Sequence, residues 1–102
     1  MSILVKKEKA FILLLFSTTR NQQLALVKTM SKSQLQAIVQ IVYNVIHGNR
    51  SLSTENKKKL QRHKTTIRQF ISKSVTTKQR RELLTKYLNY FILILKPVIK
   101  EL

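Results

Sequence analysis

The chain has 102 residues, of which 20 are lysine or arginine and four are acidic, so its formal net charge is +16. All four acids are glutamate and cysteine is absent. This excludes a disulfide framework and a thiolate zinc site, and it leaves few carboxylates for acid–base or metal chemistry. One glycine, one proline and 43% hydrophobic residues exclude a disordered Gly/Pro-rich chain and a turn-rich sandwich. We therefore expect a single all-α domain, a compact bundle of four or five helices, with no enzymatic activity, metal or cofactor.

The first predicted helix covers residues 3–17 and carries a continuous apolar run at residues 10–16. Lysines ahead of this run imitate a signal peptide, but the residues after it form a poor cleavage site. A membrane-spanning helix needs about 20 apolar residues, so we interpret the run as a packing segment. A short second helix is predicted at about residues 21–30.

The third predicted helix begins at a capping box, in which the Ser31 hydroxyl caps the first turn and Gln34 reaches back to the cap. Its apolar residues are Leu35, Ile38, Val39, Ile41, Val42, Val45 and Ile46. Because they cover a broad face, we expect this to be the central helix of the domain. Gly48 stands where a left-handed C-cap would end it.

The fourth predicted helix begins at Ser53 and is amphipathic, with one apolar stripe and a basic remainder. The stripe consists of Leu60, His63, Ile67, Phe70 and Ile71. These residues recur every three or four positions, so they fall on one side of a helix. With no cysteine or aspartate beside it, His63 is interpreted as a packed histidine rather than a metal ligand.

The fifth predicted helix begins at a second capping box, formed by Thr76 and Gln79, and is ended by Pro97. Residues 84–95 are apolar almost all round. Such a surface must be covered by the domain, by a second subunit or by lipid, and a homo-oligomer is predicted to form through Phe91, Ile92 and Leu95. The aromatic residues interpreted as core rather than base-stacking are Tyr43, Tyr87, Tyr90, Phe70 and Phe91.

The positive charge is concentrated in residues 50–86, which hold 12 basic and two acidic residues, a net charge of +10. Such an excess indicates a polyanionic partner, most commonly nucleic acid. Lysine outnumbers arginine 14 to 6, which favours contact with phosphates over reading of bases. The predicted contact residues are Lys57, Lys58, Lys59, Arg62, Lys64, Arg68, Lys73, Lys78, Arg80 and Arg81. Duplex DNA is the predicted partner; an anionic membrane surface and an acidic protein segment are the alternatives.

Two motifs of the chain resemble a known group of proteins. One is the turn formed by Asn44, Gly48, Asn49, Leu52 and Ser53, and the other consists of His63, Lys64, Ile67 and Arg68. In this spacing they resemble small basic proteins encoded by Polinton/Maverick-type elements and by adintovirus- and adenovirus-like DNA genomes. The resemblance covers residues 24–95 and implies a virion or genome-packaging protein, located in the nucleus or the virion of a DNA virus. The glycine-rich hydrophobic end of such proteins is replaced here by a tyrosine- and isoleucine-rich segment.

Overall fold

The computed structural model describes residues 3–47 and 54–100, without the side chains of residues 56, 59, 60, 94 and 97–100. Within these ranges the helices are α1 (Ile3–Lys7), α2 (Lys9–Ser17), α3 (Arg20–Thr29), α4 (Lys32–Ile46), α5 (Thr54–Arg62), α6 (Lys64–Ile71), α7 (Thr77–Lys86) and α8 (Leu88–Lys100). They pack around one apolar core, which confirms the predicted all-α domain. The two predicted caps Gly48 and Ser53 lie outside the described residues.

Three of the five predicted helices are bent at a single residue, which is why the described chain has eight helical segments. The bends lie at Glu8, His63 and Tyr87, where φ is between −114° and −96° and ψ is between 11° and 30°. The bend residues themselves keep helical hydrogen bonds: the Tyr87 N–H donates to the Leu83 carbonyl at 3.0 Å, and the Tyr87 carbonyl accepts the Phe91 N–H at 3.2 Å. Residues 77–100 would span about 36 Å as one straight helix, whereas the longest dimension of the fold is 32 Å. Bending therefore keeps both halves of each apolar face on the same core.

The α4 helix is the central helix, as its broad apolar face predicts. Its buried residues are Leu35, Ala37, Ile38, Val39, Ile41, Val42 and Val45. It packs against α1, α2, α6 and α8. These contacts cover most of its circumference, which explains why apolar residues are not confined to a narrow stripe.

Capping boxes begin three of the described helices. The two predicted boxes are confirmed: Ser31 caps α4, and Thr76 caps α7. A third, formed by Thr19 and Gln22, begins α3 one residue earlier than predicted. The sequence carries a signal for this third box: a hydroxyl residue is followed three positions later by Gln, as in the other two boxes.

The apolar end of the fifth predicted helix is covered by the domain itself. Leu88, Phe91 and Leu95 are fully buried, and Ile92 packs partly buried against the same core. The Phe91 ring lies 4.5 Å from that of Phe70, measured between centroids. Phe91 and Leu95 therefore offer no surface to a second copy, whereas Ile92 keeps part of its surface. The homo-oligomer through Phe91, Ile92 and Leu95 stays a prediction.

The α8 helix continues past Pro97 to Lys100, which corrects the prediction that the proline ends it. A proline removes its own N–H from the helical ladder and crowds the carbonyl four residues earlier. The three residues after it keep their N–H groups and can donate to residues 94–96. A proline this close to a helix end therefore costs one hydrogen bond without stopping the last turn.

Candidate nucleic-acid interface

The predicted contact residues fall into three groups in the structure. Seven are exposed: Lys57, Lys58, Arg62, Lys64, Arg68, Lys73 and Lys78. The Lys59 side chain lies outside the described residues. Arg80 and Arg81 are half-buried and donate hydrogen bonds to backbone carbonyls. We call the exposed cations of α5 and α6 the basic face. Its members are Lys57, Lys58, Arg62, Lys64 and Arg68.

The α5 part of the basic face is positioned by helical periodicity. Residues 54, 57, 58, 61 and 62 are spaced three or four apart and lie on one side of the helix. They line one open surface depression, to which Lys57, Lys58 and Arg62 contribute three positive charges. An elongated anion lying in this depression would meet all three.

The α6 part of the basic face is held outward by the core beneath it. Ile67 and Phe70 are buried on the inner side, while Lys64 and Arg68, one turn apart, are exposed. This confirms the predicted amphipathic pattern for the described part of the stripe. The helix packs against α4, α5 and α7, so the backbone that carries these two cations is supported from several sides.

Arg80 stabilises the end of α6 instead of facing solvent. Its Nε donates to the Phe70 carbonyl at 2.8 Å and its Nη2 to the Ser72 carbonyl at 2.7 Å. Carbonyls at a helix C-terminus lack helical partners and carry the negative end of the helix dipole. The planar guanidinium supplies two donors in a fixed geometry, so Arg80 serves as a C-cap for α6.

Arg81 performs the same task for a different helix. Its Nη1 donates to the Val27 carbonyl at 2.9 Å and to the Met30 carbonyl at 2.7 Å, both at the end of α3. Two adjacent arginines of α7 thus cap two helices. Nε and Nη2 of Arg80 and Nη1 of Arg81 are engaged within the protein, so these two arginines are less available for the predicted contact with nucleic acid than the exposed cations.

Acidic residues weaken the positive surface more on α7 than on α5 and α6. Glu82 lies four residues from both Lys78 and Lys86, a spacing at which opposite charges attract. On α5 the single acid, Glu55, occupies the first turn, at the positive end of the helix dipole. The α5 and α6 helices together carry six basic residues against one acid, whereas α7 carries four against one.

Two tyrosines predicted to be core residues are exposed. Tyr43 is 49% exposed and Tyr90 is 36% exposed, whereas Phe70 and Phe91 are buried as predicted. Tyr87 is half-buried. A signal for this was available, because Leu88, Phe91 and Leu95 define the buried side of α8 at spacings of three and four, and Tyr90 lies off that side.

The described helices contain neither a membrane-spanning segment nor a metal-binding cluster. None of them combines the length and the hydropathy needed to cross a membrane. Histidine and acidic side chains of the described residues nowhere form a group of three that could hold a metal ion.

The chain was compared with protein-family models, with curated proteins and with solved structures. None of the three comparisons gives a match.

Proposed function

We propose that this protein binds nucleic acid through backbone phosphates, with duplex DNA as the principal partner and without strong sequence preference. The observation that carries the proposal is the basic face, five exposed cations on two consecutive packed helices. Among the described residues, its cations have no hydrogen bond or ion pair within the protein, in contrast to Arg80 and Arg81. Their charges are therefore available to an external anion.

The chemistry of the basic face suits phosphate contact. Lysine carries a compact charge on a flexible chain and can follow phosphates without a fixed approach direction. Bidentate recognition of guanine requires arginine held at a groove edge, and the basic face has only Arg62 and Arg68. Release of counterions from the nucleic acid would drive the binding, which makes affinity depend on salt rather than on base sequence.

We further propose, from the resemblance to small basic proteins of DNA viruses and Polinton/Maverick-type elements, that this binding neutralises and condenses a genome. A chain with a net charge of +16 offsets phosphate charge without any catalytic step. Genome packaging requires many copies of the protein to bind DNA whatever its base sequence, which agrees with phosphate contact as the dominant interaction.

The test is an electrophoretic mobility-shift series on duplex DNA across a range of salt concentrations. We expect log affinity to fall linearly with log salt, with a slope of about −0.9 for each phosphate contacted. Lys58→Glu and Arg62→Glu should weaken binding to all sequences alike and make the slope shallower. Lys7→Glu is the matched control, because it reverses the charge of an exposed lysine outside the basic face. Lys7 lies on α1, a helix that packs against α2 and α4.

Three results would overturn the proposal. Association that does not depend on salt would exclude phosphate contact as its basis. An equal loss of affinity in Lys7→Glu would show that net charge, rather than the basic face, determines binding. A stoichiometric complex with an acidic protein that excess DNA leaves intact would replace nucleic acid as the partner.

The α2 helix favours an anionic membrane surface as a second candidate partner. Leu13 and Leu14 are 43% and 48% exposed, and they continue the exposed side of α1 that carries Lys6 and Lys7. Apolar side chains in line with cations are typical of segments that bind anionic lipid. Release of dye from anionic vesicles, at protein concentrations that do not retard DNA, would favour this function.

A further inference from the structure

Three aromatic side chains meet where the bend between α5 and α6 faces the bend between α7 and α8. The ring centroids of His63 and Tyr90 lie 3.6 Å apart, with an interplanar angle of 38°. The Tyr87 ring is 6.0 Å from His63 on the same centroid measure. Because His63 packs against Tyr90 while Tyr90 remains 36% exposed, the tyrosine ring is supported from within the protein and accessible from solvent.

One cation contacts this aromatic cluster, and others lie beside its members in the chain. Arg62 and Lys64, both members of the basic face, flank His63 in the chain and are exposed. The Lys86 ammonium lies 5.5 Å from the centroid of the Tyr87 ring. Arg20 of α3 donates through its Nη1 to Oδ1 of Asn89, the residue that precedes Tyr90. Lys86 therefore contacts the aromatic cluster directly, and two members of the basic face lie next to His63 in the chain.

We propose that Tyr90, supported by His63, stacks on an unpaired base, so that the protein holds single-stranded nucleic acid more tightly than phosphate contacts alone allow. The inference rests on the proposed function and adds a ligand class to it. Every base has a π face, so stacking on an aromatic ring tolerates any sequence. Lys86 and the basic face would supply the phosphate contacts beside the stacked base.

The combination of an exposed ring with cations favours a nucleotide over an acidic peptide. A carboxylate would be bound by cations alone and would gain nothing from the face of Tyr90, because the π face of an aromatic ring carries negative charge density. A nucleotide uses both features at once. In a duplex the bases are already stacked on each other, so only an unpaired tract or a strand end can engage Tyr90.

The test uses an oligothymidylate that carries one 2-aminopurine, whose fluorescence falls when it stacks, beside a duplex of the same length. We expect quenching on the single strand with wild-type protein and with Tyr90→Phe, which keeps the ring. Tyr90→Ala should abolish the quenching and lower single-strand affinity by about 5- to 150-fold, the effect of losing one base–aromatic stack. Its duplex affinity and salt slope should equal those of the wild type.

Tyr43→Ala is the matched control, because Tyr43 is also an exposed tyrosine packed on a histidine, with its ring centroid 4.2 Å from that of His47. It should leave single-strand binding and quenching unchanged. Equal single-strand affinity of Tyr90→Ala and wild type, with duplex binding intact, would overturn this inference and leave the proposed function standing. Failure of both nucleic acids to bind would overturn the proposed function. Binding of a polyglutamate peptide that Tyr90→Ala weakens would overturn the inference in favour of an acidic protein partner at this surface.

Discussion

Replacing Arg81 tests whether this arginine stabilises the fold or binds phosphate, since the two roles make opposite predictions. Arg81→Met removes the charge and every donor while keeping most of the side-chain length. Two short hydrogen bonds to α3 are lost, to the carbonyls of Val27 and Met30. These residues are 54 and 51 positions away in the sequence, so the contact joins α7 to α3.

The size of the effect follows from these contacts. A hydrogen bond from a charged donor contributes about 1.5–3 kcal/mol to stability, but Arg81 is half-buried, so water can replace part of it. We therefore expect Arg81→Met to lower the free energy of unfolding by about 2 kcal/mol. For a domain of about 100 residues, this corresponds to a fall in Tm of about 8–16 °C. The Arg81→Lys variant should keep only the interaction of the positive charge with the dipole of α3, which contributes about 0.3–1 kcal/mol to the free energy of unfolding.

The assay is urea unfolding followed by far-UV circular dichroism, together with the mobility-shift series in salt. Lys78→Met is the matched control, because Lys78 is exposed on the same helix and its replacement should change stability by less than about 0.5 kcal/mol. Under conditions in which it is folded, the Arg81→Met variant should show the same slope of log DNA affinity against log salt as the wild type. A slope shallower by about 1 with unchanged stability would refute the capping role and return Arg81 to the phosphate contacts.

Two further predictions concern the core and the caps. Phe70→Ala should lower the free energy of unfolding by about 3–5 kcal/mol, because Phe70 is fully buried against Phe91; a urea midpoint close to that of the wild type would contradict this packing. Thr76→Ala should lower it by about 1 kcal/mol, because the Thr76 hydroxyl accepts the Gln79 N–H at 3.1 Å. Thermal unfolding would measure this loss, and Thr65→Ala, at an exposed position inside α6, should show no comparable loss.

Local signals in the sequence were sufficient to predict most of the helices. The capping boxes at Ser31 and Thr76 depend on residues three positions apart, and the stripe containing Ile67 and Phe70 depends on a repeat within one helix. Both are properties of a short segment, so they are readable without the rest of the chain. The bends at His63 and Tyr87 are different, because they follow from fitting long helices around a small core.

The role of the two arginines could not be predicted from their neighbourhood. Near a helix start, an arginine that binds phosphate and an arginine that caps another helix have the same local sequence. The deciding fact is the position of the acceptors, and for Arg81 these belong to α3, more than 50 residues earlier. Only the packing of α3 against α7 brings the carbonyls into reach.

The distribution of arginine and lysine also bears on how a chain of this charge stays folded. Self-repulsion in a molecule with a net charge of +16 opposes compaction. Two of its guanidinium groups, on Arg80 and Arg81, lie against the negative ends of α6 and α3, where their charge stabilises the fold. The basic face instead keeps its cations in solvent on the outer side of α5 and α6. A polyanion bound there would reduce the repulsion without moving any core residue, so that binding and stability would reinforce each other.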